Sequence, residues 1–238
     1  MKESELRPIE LHEFAEREAL AAALATRVAE QLREAIAVRG RALLAVSGGE
    51  TPKQFFEALS TEEADWEKVT VTLVDERFVS PDSGRSNQKL VETHLLKNKA
   101  ARAKLVALYH RAENVDAAAE IASGAIDALP LPFDALILGM GTDGHTASFF
   151  PGGNHLGAAL ALGGNPSVLS MKAPDADEPR LTLTLPHVIA ARLLVLHIHG
   201  AEKMRVLDKV RGAGPAEEMP IRAVLDHAPA PVETYWAA

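Results

Sequence analysis

The chain of 238 residues contains no cysteine. That excludes disulfides, thiolate nucleophiles, iron–sulfur clusters and Cys-ligated zinc. No apolar run approaches the ~18 residues that a membrane span requires. The opening MKESELRPIELHEF lacks the apolar centre of a signal peptide, so the cytoplasm is the expected location. Aromatic residues make up only 5%, and the isolated Trp66 and Trp236 read as packing residues. There is no basic excess. Twenty-five Lys and Arg against 33 Asp and Glu give a formal net charge of −8, which argues against a nucleic-acid partner. No internal repeat of solenoid period is present.

What is present is an alternation of helix-like and strand-like segments. Residues 11–38 place Leu20, Leu24, Val28, Leu32 and Ile36 four apart, predicting a long amphipathic helix ended by Gly40. The runs RALLAV (41–46), VTVTLV (69–74), FDALIL (133–138) and LLVLHIH (193–199) predict buried strands. Weaker strands are predicted at 104–108, 167–172 and 181–185, and an edge strand at 232–236. Helices are predicted within 52–59, 88–96, 112–129, 186–191, 201–210 and 220–226, with a short helix and a loop over 156–166. With no linker-like break, the expectation is one α/β domain over residues 1–238. It would be built on a mainly parallel, Rossmann-like sheet with helices on both faces. Ligands of such sheets bind beyond the carboxyl ends of the strands. Four loops would meet there.

The first is Ser47-Gly48-Gly49-Glu50-Thr51-Pro52. Paired glycines let backbone approach a ligand, the hydroxyls add donors, and the following helix start suits an anion. A plain strand-to-helix turn capped by Thr51 weighs equally. No Gly-Lys-Ser/Thr follows, so it is not a Walker A loop. The second holds Asp75-Glu76-Arg77 and a polar loop through Arg85, Ser86 and Asn87. Strand alternation puts Asp75 and Arg77 on one face and Glu76 on the other, and Arg77 could grip a phosphate with its forked donors.

The third, Gly139-Met140-Gly141-Thr142-Asp143-Gly144-His145, matches G-x-G-x-x-G but not a dinucleotide site. Pro151-Gly152-Gly153 stops the helix, and no acid stands about 20 positions on. Asp143 and His145 flank a glycine, and an Asp beside an imidazole can set the tautomer of a general base. The fourth loop leads to Lys203, one turn into a helix, from where its ammonium could reach an anion over the sheet edge. His197 and His199 share a strand face. Without a carboxylate pair or HExxH they read as core or helix contacts, and no metal is expected.

Taken in order, VSGGETP (46–52), VDERFVSPDSGRSN (74–87), LGMGTDGHTASFFPG (138–152), PRLTLTLPHVIAA (179–191) and HGAEKMRVL (199–207) resemble the 6-phosphogluconolactonase family over nearly the whole chain. The resemblance implies a fold like that of glucosamine-6-phosphate deaminase and hydrolysis of a phosphorylated sugar lactone without metal or organic cofactor. It also implies a monomer or homodimer. His145 would activate water, with Asp143 beside it. Ser47, Gly48, Gly49, Arg77 and Lys203 would hold phosphate, and Arg180 falls in the Pro-Arg-x-Thr-x-Thr segment. Thr51 joins the binding set and Asp75 the catalytic set as a second proton-transfer group. Glu50 departs from the family pattern and is expected to face solvent. Two other readings compete. One is an amino-sugar phosphate deaminase or isomerase, which would carry a Glu where Phe150 stands. The other is a non-catalytic sugar-phosphate sensor, for which no output domain is visible.

Overall fold

The computed structural model describes residues 6–164, 166–174 and 176–238. Residues 1–5, Asn165 and Asp175 lie outside them. The elements run β1 (Ile9–Phe14), α1 (Arg17–Arg39), β2 (Ala42–Val46), α2 (Lys53–Leu59), β3 (Val69–Leu73), β4 (Asp75–Arg77), α3 (Asn87–His94) and β5 (Lys104–Val106). They continue as α4 (Val115–Asp127), β6 (Ala135–Leu138), α5 (Leu156–Leu160), β7 (Val168–Met171), β8 (Arg180–Leu183), α6 (Leu185–Ile189), β9 (Leu193–His199), α7 (Gly200–Arg211), α8 (Ile221–His227) and β10 (Val232–Ala237).

Seven strands form one parallel sheet in the order β1-β10-β9-β6-β2-β3-β5. From β1 the chain crosses to β2 and steps outward through β3 to β5, then reverses through β6, β9 and β10. Right-handed crossovers in opposite directions put their helices on opposite faces. Consistent with this, α1 packs on α2 and α2 on α3, while α8 packs on α6 and α7. β2 and β6 are adjacent at the reversal, and every residue of both is buried. Such central strands need apolar side chains on both faces, which ALLAV and ALIL supply.

The long helix begins at Arg17 rather than near residue 11, because IELHEF pairs with β10 as a parallel edge strand. Glu and Leu favour helix in isolation, but tertiary pairing overrides that preference. β10 is consequently an interior strand, not the predicted edge. Gly40 ends α1 as expected, at φ 73° with its N–H on the Ile36 carbonyl at 2.8 Å.

A second, antiparallel sheet, β4-β8-β7, is a further departure. The predicted loop at Asp75-Glu76-Arg77 is its first strand, with Arg77 opposite Arg180 and Asp75 opposite Thr182. Val74 joins the two sheets. Its N–H donates to the Val46 carbonyl at 2.9 Å, and its own carbonyl accepts from the Leu183 N–H at 2.9 Å. The small sheet thus stands at the carboxyl end of the large one, beside the reversal point.

Candidate active site

A cavity of about 370 Å³ opens where the loops after β2, β3, β6 and β9 converge. Ser47, Gly48, Gly49, Thr51, Asp75, Arg77, His145, Arg180 and Lys203 all line it. Asp143 is not among the lining residues and stands behind His145.

The loop after β2 owes its shape to a neighbour. A Cβ at Gly48 would sit 1.9 Å from Asn87 Oδ1, so only glycine admits the Asn87 side chain there. Asn87 Nδ2 in turn donates to the Asp75 carbonyl at 2.9 Å. Thr51 is not the cap of α2: Pro52 holds the N-cap position, with no side-chain bond. Glu50 pairs with Lys53 at 2.7 Å and its side chain is 88% exposed, away from the cavity as expected.

β4 alternates as predicted. Asp75 and Arg77 face the cavity, while Glu76 is fully buried behind them. Its carboxylate accepts from the backbone N–H groups of Arg77 (2.7 Å), Asn87 (2.8 Å) and Gln88 (2.7 Å) and from the Ser86 hydroxyl (3.1 Å). Burial pushes the Glu76 carboxyl above its ordinary range, and the backbone donors oppose that push. The bonds to Asn87 and Gln88 occupy free N–H groups at the start of α3, where an acid belongs. Asp75 is committed too: its Oδ2 accepts the Ser148 hydroxyl at 2.7 Å.

In the loop after β6, Asp143 Oδ1 lies 2.7 Å from His145 Nδ1 and 3.1 Å from the His145 N–H. Burial works against the Asp143 charge, but the hydrogen bonds and charge of His145 outweigh it and hold the carboxyl below its usual value. Asp143 is therefore a carboxylate at neutral pH and can only accept. The proton of the bond thus sits on Nδ1, and whenever the ring is neutral its lone pair is on Nε2. No partner occupies Nε2 among the described residues. A Cβ at Gly141 would lie 2.1 Å from His145 Nδ1, so this glycine serves a close approach rather than a dinucleotide. No helix opens here; α5 starts only at Leu156.

Lys203 is partly buried. Burial pushes its ammonium down, against the opposing charges of Asp143 and Glu202. Arg180 lies over the Phe150 ring at 5.8 Å, and that ring is 4.6 Å from the His145 ring. Among the described residues no cluster of three or more His, Asp or Glu could hold a metal ion, and no helix is long and apolar enough to cross a membrane.

Asn87, Phe150 and His197 also line the cavity and were not singled out by sequence. Gly48 held the signal for Asn87, since a missing Cβ asks what fills its place. Phe150 was legible only as the absence of an acid. His197 looked like a core residue, and it is one: nearly all of it is buried, with Nε2 2.9 Å from His199 Nε2.

The glucosamine-6-phosphate isomerase/6-phosphogluconolactonase family model matches residues 15–236. A 6-phosphogluconolactonase of Rhizobium meliloti (strain 1021) is 54% identical over 95% of this chain and 98% of its own. The crystal structure of a 6-phosphogluconolactonase from Shewanella baltica OS155 superposes with a TM-score of 0.94 at 37% identity. That match covers 98% of this chain and 99% of the other. A monomeric glucosamine-6-phosphate deaminase shares the fold at a TM-score of 0.77 and 19% identity, covering 96% of this chain and 97% of its own. The chain belongs to the glucosamine-6-phosphate isomerase/6-phosphogluconolactonase family.

Proposed function

We propose that this protein is a hydrolase that converts 6-phospho-D-glucono-1,5-lactone to 6-phospho-D-gluconate in the oxidative pentose phosphate pathway. The observation that carries the reading is His145, paired with Asp143 at 2.7 Å, in a cavity that Arg77, Arg180 and Lys203 also line. His145 Nε2 takes a proton from water as the water oxygen attacks the lactone carbonyl carbon. The tetrahedral intermediate then collapses, the ring C–O bond breaks, and the imidazolium returns the proton to the leaving ring oxygen. Asp143 keeps the imidazole in the required tautomer and offsets its transient charge. Asp75, bound to Ser148 and beside Asn87, holds the β4 and β6 loops together rather than acting as a free base. Ser47, Gly48, Gly49, Thr51, Arg77, Arg180 and Lys203 bind the phosphorylated substrate. The phosphate is remote from the reacting carbon, so its binding energy orients the ring.

No metal or organic cofactor enters these steps. One chain of residues 1–238 supplies every group named, as a monomer or homodimer in the cytoplasm. The deaminase reading asks for an acid at position 150, and the ring of Phe150 against His145 counts against it. The test is to generate the lactone in situ and follow its loss, corrected for spontaneous hydrolysis. Rapid loss that vanishes in His145→Ala supports the reading. No acceleration by a folded sample overturns it and makes ammonia release from glucosamine 6-phosphate the next assay.

A further inference from the structure

Three charged residues outside the cavity join two of the cations inside it. Arg77 and Arg180 face each other directly across β4 and β8, so their like charges are neighbours. Each is held by a residue that does not line the cavity. Arg77 Nη1 donates to the backbone carbonyl of Arg85 at 2.6 Å. Arg180 Nη1 donates to Glu178 Oε2 at 3.0 Å, where Arg180 has a side-chain exposure of only 9% and Glu178 of 18%. The same Glu178 carboxylate accepts from Arg85 Nη2 at 2.9 Å and pairs closely with Arg85 Nε. Arg85 Nη2 also reaches Asp177 Oδ2 at 3.0 Å. The loop after β4 and the segment before β8 are thereby clasped, with Glu178 shared between two guanidinium groups.

We propose that Glu178, held by Arg85, is a positioning residue that fixes the Arg180 guanidinium for substrate phosphate. This rests on the functional reading above, in which Arg180 binds substrate. An arginine recognises an anion through a planar fork, so its orientation matters as much as its charge. The Phe150 ring supports one face of that fork at 5.8 Å. Glu178 supplies the second restraint, and without it Arg180 is held in the cavity by stacking alone.

Charge and geometry predict opposite signs here, which makes the proposal sharp. Removing an acid from beside an anion site strengthens anion binding through space. Removing a positioning partner weakens it. The experiment compares KM and kcat of Glu178→Gln, Arg180→Ala and the double variant on enzymatically generated 6-phosphoglucono-δ-lactone. The expected result is a KM raised about fivefold in Glu178→Gln, with kcat within about twofold. In the Arg180→Ala background the Glu178 substitution should raise KM no further, because its effect passes through that side chain. The thermal midpoint should stay close to the parent value, since the clasp is partly exposed. A KM unchanged or lowered by Glu178→Gln, with Arg180→Ala raising it, overturns the positioning role and leaves the function standing. An equal further rise in the Arg180→Ala background overturns it as well. A KM unaffected by Arg180→Ala overturns both this role and the assignment of Arg180 to substrate.

Discussion

His145 and His197 border the same cavity, yet one ring bonds a carboxylate at 2.7 Å and the other a second imidazole at 2.9 Å. The Asp143 carboxylate stabilises a proton on His145 and leaves Nε2 open to a reactant. The His197–His199 contact needs one Nε2 to donate and the other to accept, so it excludes a doubly protonated pair. Burial, then the charge of His199, pushes His197 down to about 3. His199 is lowered too, by burial and then by the charge of Arg17. His197 Nδ1 is buried with no partner among the described residues. Two imidazoles at one cavity, one in the loop after β6 and one on β9, thus differ through what each touches. One has its Nε2 with no partner among the described residues; the other is packing beneath the cavity.

The largest effect that could break this contrast is at His145. His145→Ala should lower kcat by about 10²–10⁴-fold, measured on the lactone, with binding of 6-phosphogluconate little changed. Equal loss of binding and turnover would make His145 a substrate holder. Asp143→Asn removes the acceptor-only partner and allows the wrong tautomer, so a loss of about 10²-fold in kcat is expected. Full activity in Asp143→Asn would detach Asp143 from the reaction.

His197 speaks to stability instead. Its folded value is depressed from 6.5 to about 3, so below pH 6.5 the unfolded chain takes up a proton that the native state refuses. Stability from this group is complete above pH 6.5 and declines as pH falls towards 3. At pH 4.5, two units below the unfolded value, the loss is on the order of a few kcal/mol. Urea unfolding of His197→Gln should therefore show a shallower decline between pH 7 and pH 4.5 than the parent. An identical slope would mean that His197 is protonated in the fold. The smallest effect concerns Lys203: Lys203→Ala should raise KM about tenfold and leave kcat nearly intact. An unchanged KM would remove it from phosphate binding.

How much of this was legible depends on the kind of signal each residue carries. β2, β6 and β9 are mainly apolar runs each followed closely by glycine, and their largely buried places in a parallel sheet follow from that pattern. β1 was not legible as a strand, and β4 only as the end of the strand before it. β1 alternates within a stretch of good helix formers and is a strand only because β10 lies beside it. β4 is three charged residues, read as a strand end running into a polar loop, and it is a separate strand because Glu76 finds four donors and β8 pairs with it. The cavity was more legible than the fold around it. Loops at the carboxyl ends of parallel strands converge whatever the exact strand order, so Ser47, Arg77, His145 and Lys203 meet there. The contacts that hold the cavity's side chains were harder to read, even where they are close in the chain: Glu178 stands only two residues before Arg180. Ser148 on Asp75 and Phe150 beneath Arg180 join distant chain positions and leave no mark in local spacing.

The most direct test of the contrast between the two histidines is a side-by-side assay of His145→Gln and His197→Gln on 6-phosphoglucono-δ-lactone at neutral pH. Both variants should first be verified as folded. The account predicts that His145→Gln loses at least about 10²-fold in kcat while His197→Gln loses less than about tenfold. Comparable losses, or a larger one at His197, would contradict it.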